Sequence, residues 1–346
     1  FPYIVPKHFI FRTLVELAFV VFFLKTPKPL NSKTYFLFGF LIIIGFINLL
    51  GINPLNSLNS NFERMDGYLN LIHLIMFFWL LKTLDKKGWQ VIFLSLIIVN
   101  LISNVTFLIK PDTAGLIGNT GYMAAFNLLC MVLILIGMKQ YALFAAAVLI
   151  LNLYVSYLTG SRAWAVSCFV FIACIAFRYL DKKAVISFIL IGLLYAGGAF
   201  TYVSDSKMSN KSVESVKTRM LSYKYTLKGW LDRPITGYGQ ENFYAVHSKY
   251  FPAKIFERYK WLDNPHSVYL EWLIETGIIG LCLYLSLFVL TFKRIFKIKH
   301  MSYYEKTVIY AGLLAYMTHN FFTFDTLVSY LPFIILLGYI WSRETF

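Results

Sequence analysis

His266 and Ser267 are followed by nine residues and then by Gly277-x-x-Gly280. Histidine is the side chain whose ordinary pKa suits proton transfer near neutrality, so His266 is a candidate general base. It follows an Asn-Pro turn and opens a long apolar run. At 100° per residue, Leu273, Gly277 and Gly280 share its helix face, while Glu271 and Glu275 point the other way. Glycines there would let a neighbouring helix approach closely. The same histidine could instead cap the helix or sit at an interface.

Two arginines offer paired hydrogen bonds to phosphate oxygens. Arg162 follows Ser161 in TGSRAW (159–164), and Arg219 lies among Lys217, Lys224 and Lys228. Arg162 could equally snorkel to an interface, and the lysines could be a solvated face attracting anionic headgroups. Glu271 and Glu275, four residues apart in an apolar segment, need an arginine on another helix or a proton. Arg64 stands between Glu63 and Asp66, which could bind a metal or form an ordinary surface ion cluster. His319 and Asn320 either line the same cavity as His266 or cap a helix, and His73 reads as structural.

The elements that must position these groups are set by composition. The chain has 346 residues, 58% hydrophobic and 14% charged, against roughly a quarter charged in soluble domains. Its apolar residues come in runs near the ~20 that span a bilayer. The expected class is therefore an all-α, polytopic membrane protein. Eleven spans are predicted: 9–24, 34–51, 67–84, 89–109, 119–138, 141–158, 163–180, 185–203, 267–292, 305–322 and 326–342. A net charge of +15 does not require nucleic acid as a partner, because Lys and Arg gather in cytoplasmic loops. Lys25, Lys82, Arg178, Lys183 and Lys293 mark one set of loops as cytoplasmic, which puts residue 1 outside and implies a further span upstream.

Three regions result: helices in 1–203, a long outer loop over 204–265, and helices in 266–346. Within the loop, Val213, Val216, Met220, Tyr223, Leu227 and Leu231 recur at helical spacing, predicting an amphipathic helix along the bilayer surface. The stretch DRPITGYG (232–239) ends it. The four cysteines lie in apolar runs without paired or metal-ligand spacing. No P-loop, dinucleotide glycine pattern or GxSxG occurs.

Taken together, the His-Ser-x9-Gly-x-x-Gly pattern, TGSRAW, and TRMLSYKYTLKGWLDRPITGYGQENF (218–243) resemble the O-antigen ligase and O-antigen polymerase family. The resemblance covers about residues 155–325, with a fainter echo in FRTLVEL and ERMDGYL. It implies a glycosyltransferase of the bacterial inner membrane, with about twelve spans and its site facing the periplasm. Such an enzyme takes a glycan from undecaprenyl diphosphate to an acceptor hydroxyl on lipid A–core, another carrier-linked glycan or a protein. It also implies inversion at the sugar without metal or other cofactor. His266 falls at the family's essential histidine, and Arg162 and Arg219 at its diphosphate-binding arginines. Ser161, Ser267, Gly277, Gly280, Glu275, Arg64 and His319 are expected to support them.

Two other classes stay open. A metal-dependent glycosyltransferase would use Glu63 and Asp66. A transporter of the lipid-linked glycan would carry broken helices in both halves; few are visible, since Pro54, Pro111 and Pro234 lie between spans.

Overall fold

The computed structural model describes residues 4–25, 35–62, 64–137, 142–180, 210–251 and 264–343. The all-α expectation holds: the described residues form thirteen α-helices and one short 3-10 turn. In order these are α1 (Ile4–Lys25), α2 (Tyr35–Leu49), α3 (Pro54–Asn59), α4 (Tyr68–Lys82), α5 (Lys86–Ile109), α6 (Thr120–Gly137) and α7 (Ala142–Leu158). Then follow α8 (Arg162–Tyr179), α9 (Asn210–Trp230), α10 (Phe243–Tyr250), α11 (Val268–Lys297), α12 (Tyr303–His319) and α13 (Leu327–Ser342).

Ten of the predicted spans coincide with a helix, and 185–203 lies outside the described residues. Four helices, α5, α6, α8 and α11, are long and apolar enough to cross a membrane, while α2, α4, α7 and α13 are apolar but shorter. Large apolar side chains point outward, Leu143 at 91% and Ile42 at 70% exposure. In water such surfaces would be an aggregation hazard; in lipid they are the solvated face. The chain is built as a multi-pass membrane protein.

Around the core, α8 packs along α12, α13 along α4, α1 along α4, and α6 against both α12 and α13. Helices α5, α6 and α7 are joined by a buried polar knot. Asn100 Nδ2 donates to Asn127 Oδ1 (2.9 Å), Asn127 Nδ2 to Asn104 Oδ1 (3.0 Å) and Ser156 Oγ (3.0 Å), and Asn152 Nδ2 to Asn100 Oδ1 (3.2 Å). Amide pairs of this kind hold helices together where burial of apolar surface supplies little drive.

Helix α11 is broken. At Gly277 the backbone leaves helical geometry (φ 65°, ψ −168°), so the 30 residues are two helical pieces meeting at an angle. The sequence reading, which saw few interrupted helices and placed Gly277 on one continuous face with His266, is corrected here. A break inside a membrane bundle exposes backbone groups that must find partners. They find them in residues 234–239. Tyr238 N donates to Ile274 O (3.0 Å), Gly239 N to Glu275 O (2.7 Å), and Ile278 N to Pro234 O (2.9 Å). A Cβ on Gly277 would collide with the Ile235 carbonyl, and one on Gly237 with the Glu275 backbone. The expected close neighbour of Gly277 is therefore the Pro-x-x-Gly-x-Gly loop and not another helix. A Cβ on Gly280 would meet the side chain of Thr276, one turn earlier in its own helix.

Helix α9 exists as predicted, and its apolar stripe is divided: Tyr223 faces the protein, while others of the stripe turn outward. Met220, Leu227 and Leu231 are exposed, while Ser222, Thr226 and Gly229 are buried. Small residues inside let α9 approach α10; a Cβ on Gly229 would strike Val246. The outward stripe is the face that the expected bilayer placement needs.

Gly277→Ala forces an alanine into left-handed φ, roughly 1–3 kcal/mol of strain, in addition to the Ile235 collision. The variant is expected to give less folded protein and a Tm several degrees lower in detergent. A wild-type Tm would contradict the break.

Candidate functional site

The site gathers where the break in α11, the 234–242 loop and the turn after α12 converge. His266 is outside the helix: it lies two residues before Val268, in left-handed conformation (φ 56°), half-buried. Its amide donates to Asn264 Oδ1 (2.8 Å), the local bond an Asx turn uses. Its carbonyl accepts from Tyr223 Oη (3.3 Å), which also donates to Phe321 O (2.7 Å). Tyr223 thus pins α9 to both the histidine segment and the α12–α13 turn. It was expected only as part of an apolar stripe. Its position four residues after Arg219 was the available signal.

Ser267 occupies the N-cap of α11, buried, without a side-chain capping bond. The helix start is held instead by Val268 N, which donates to Asn320 O and Thr323 O, both at 3.0 Å. This brings His319 in. It is the last residue of α12, fully buried, with Nδ1 2.9 Å from Thr323 Oγ1 and no hydrogen bond to Nε2 among the described residues. The capping reading describes Asn320, which is the C-cap of α12 and whose carbonyl also receives the first amide of α11.

Arg219 is half-buried on α9. Burial pushes its guanidinium pKa below the usual value; Tyr223 acts against that shift, and the charge of Arg162 adds to it. The Arg219 charge also acts on His319. Arg162 and Arg219, 57 positions apart in the chain, therefore lie close enough for Arg219 to feel the charge of Arg162. Arg162 is the exposed first residue of α8, held at that terminus by the Ser161 N-cap, whose Oγ accepts from Trp164 N (3.3 Å).

Arg64 is not part of a surface ion cluster. It is 7% exposed, with Nη2 2.5 Å from Glu271 Oε1, Nε 3.7 Å from Glu241 Oε1, and Nη2 4.0 Å from Asp66 Oδ2. Glu63 lies outside the described residues. Glu275, also buried, accepts at Oε1 from Glu241 N (2.9 Å). The two glutamates of α11 thus find different partners: an arginine for Glu271, and a loop amide for Glu275. Glu241, Glu271 and Glu275 approach closely enough to nest a metal ion. Arg64 already supplies that nest with a cation. The Arg64 guanidinium lies 4.9 Å from the Phe324 ring centroid, and His266 packs on the same ring at 5.5 Å, tilted 46°. Phe324, which nothing in its own sequence context marked, therefore connects the ionic cluster to the histidine. His73 also has a partner the sequence did not reveal: Nε2 lies 2.8 Å from Glu16 Oε1 on α1.

A histidine held by its backbone, two arginines that feel each other's charge, and a Pro-x-x-Gly-x-Gly loop closing a broken helix now stand together. Residues 146–285 match the O-antigen ligase family. The matched segment includes Arg162, Arg219, Tyr223 and His266, together with the Gly277 break. It ends within α11, so Arg64, His319 and Phe324 lie outside it. No curated protein matches the chain.

Arg64→Ala would leave the Glu271 carboxylate buried without its cation, a loss on the order of 3–5 kcal/mol. Adding Glu271→Gln to that variant should recover much of it. Glu275→Gln keeps an oxygen for the Glu241 amide and should stay within about 1 kcal/mol of wild type. Thermal unfolding in detergent checks the set, and a Glu275→Gln loss as large as Arg64→Ala would contradict the pairing.

Proposed function

We propose that the protein is a membrane glycosyltransferase that moves a glycan from a polyprenyl diphosphate to an acceptor hydroxyl. The family match supports glycan transfer of the O-antigen ligase or polymerase type. The residue roles are supported by Tyr223, which bonds the His266 carbonyl and, like Arg162, lies within charge range of Arg219.

His266 accepts the proton of the incoming hydroxyl as its oxygen bonds to the anomeric carbon. The bond from that carbon to the diphosphate breaks on the opposite face, which inverts the centre. Leaving diphosphate carries concentrated negative charge, and Arg162 and Arg219 hold it; preorganised donors of this kind are typically worth a few kcal/mol each. General base catalysis adds about 10²–10⁴-fold. In this reading the arginines do the electrostatic work without a metal, and Arg64 offsets part of the charge of the carboxylates around it. Helices α9 and α10 are assigned to the outer face, with exposed Met220, Leu227 and Leu231 toward lipid. In this reading the site faces the periplasm at the inner membrane, where a lipid-anchored donor meets a water-borne acceptor.

A lipid-linked glycan transporter is the second reading, and the broken helix α11 favours it, since transporters build sites at such breaks. Cleavage separates the two: a transporter binds the carrier and releases no polyprenyl diphosphate. Isolating the product identifies the acceptor as lipid A–core, carrier-linked glycan or protein.

Arg162→Lys is expected to lose nearly as much transfer activity as Arg162→Ala, because an ammonium cannot make the forked contact. Near-wild-type turnover for the lysine variant would contradict bidentate binding. Transfer should persist in EDTA; its loss there, with recovery on adding a divalent ion, would revive the carboxylate nest as a metal site.

A further inference from the structure

A cavity of about 810 Å³ lies between α8, α12 and the end of α11. Helix α8 starts at Arg162 and α12 ends at His319, and the cavity lies toward the opposite end of each, away from the transfer site. Its volume falls in the roughly 300–1,000 Å³ range of pockets that hold small molecules. The sequence makes the space. On α8, Val170, Cys174 and Phe177 recur at helical spacing, and on α12 Thr307, Tyr310 and Leu314 do the same. Ala173 and Ala311, beside them in the lining, contribute only a methyl each. Two helices packed along one another therefore leave a void where the lining side chains are short. Phe177, Phe296 and Leu314 in its wall are exposed, so it opens sideways onto the surface that faces lipid.

Charge is confined to one end of the cavity and has one sign. Arg178 lines it from the last turn of α8 and Lys306 from the first turn of α12, and the described lining holds no carboxylate. The Arg178 guanidinium lies over the Tyr303 ring, 4.0 Å from its centroid. Lys306 Nζ is 3.5 Å from Phe296 O and has further protons to donate. The hydroxyls of Thr307 and Tyr310 are already used, donating to Tyr303 O (2.9 Å) and Phe292 O (3.0 Å). The result is an apolar slot with two cations at its mouth. A free phosphate would leave the apolar wall uncovered, and a hydrocarbon would leave both cations without an anion. A molecule with an acyl chain and an anionic head matches both parts, and a bilayer supplies it.

Basic pockets between membrane helices hold anionic headgroups in this way, and the cytoplasmic leaflet is the negatively charged one. Arg178 and Lys306 belong to the set of basic residues that marks the cytoplasmic side of this chain. We propose that the cavity binds one anionic phospholipid of the cytoplasmic leaflet, its phosphate on Arg178 and Lys306 and an acyl chain between α8 and α12. The inference does not depend on glycan transfer. Among the described residues α8 is held mainly along α12, so a lipid seated there secures the helix that carries Arg162 at its other end.

The test titrates the full chain in detergent with phosphatidylglycerol or phosphatidylcholine of the same acyl chains, followed by native mass spectrometry. One phosphatidylglycerol should be retained per chain, more tightly than phosphatidylcholine. Its affinity should fall about fivefold in Arg178→Gln or Lys306→Gln and about thirtyfold in the double variant, the worth of one and two basic residues beside a membrane anion. Ala173→Phe, which puts a ring among the contacts of the acyl chain, should weaken retention of both lipids. Variants are compared at equal helicity by circular dichroism. Equal retention of the two lipids by wild type, an unchanged preference in the double variant, or full binding by Ala173→Phe would overturn the site. So would a wild type that retains no lipid, the result expected if the 185–203 segment or a partner helix fills the cavity. Displacement of phosphatidylglycerol by equimolar undecaprenyl phosphate would also overturn it, by making the cavity a carrier site.

Discussion

A helix interrupted inside a membrane bundle must have its freed backbone groups satisfied by protein, because lipid offers none. At Gly277 that requirement fixes most of what surrounds the site. The 234–239 loop supplies the missing donors and acceptors to Ile274, Glu275 and Ile278, so the loop cannot sit elsewhere without leaving the break unpaired. Its glycines are needed because two backbones run in contact there. From that anchor the chain continues to Glu241, whose amide reaches Glu275 and whose carboxylate joins the Arg64 cluster. The break therefore couples a polar outer segment to the apolar bundle.

The second constraint is charge. Asp66, Glu241, Glu271 and Glu275 lie buried around one arginine. Burial raises the Asp66 carboxyl well above the usual range, with Arg64 acting against that rise. Such a cluster is a weak source of net stability but fixes relative position strongly, because removing one partner strands another. It sets the 64–66 turn against α11 and α11 against the loop, and Arg64 reaches through Phe324 to His266. In the proposed reaction the diphosphate charge would be met by Arg219 and Arg162, which otherwise repel each other. Keeping the two charge systems apart lets the arginines attract an anion without being neutralised by the glutamates.

Much of this was legible in residue order. Long apolar runs gave the all-α class and ten of the helices; Gly277 and Pro-x-x-Gly-x-Gly carried a resemblance that the match over residues 146–285 supports; and the arginines and histidine stood out because charges are scarce in such a chain. What was not legible depended on contacts between distant segments. A face count from His266 assumed a continuous helix, and a positive φ at Gly277 cannot be seen in spacing. The apolar stripe of α9 predicted a helix correctly but not which face the protein buries, since Ser222, Thr226 and Gly229 are inside for their size. Asn100, Asn104, Asn127 and Asn152 each look like an isolated polar residue in an apolar run, and only packing shows them bonded to one another. Phe324 and Tyr223 are ordinary aromatics until the turn after α12 brings them to the histidine.

The most direct measurement follows release of free polyprenyl diphosphate from a carrier-linked oligosaccharide, with acceptor present, by wild type and His266→Ala in detergent. In parallel, binding of the carrier to each protein is measured. Release slowed by about 10²–10⁴-fold in the variant, with carrier binding retained, is the result predicted for a histidine that acts in the chemical step. Equal release by the two proteins would contradict it.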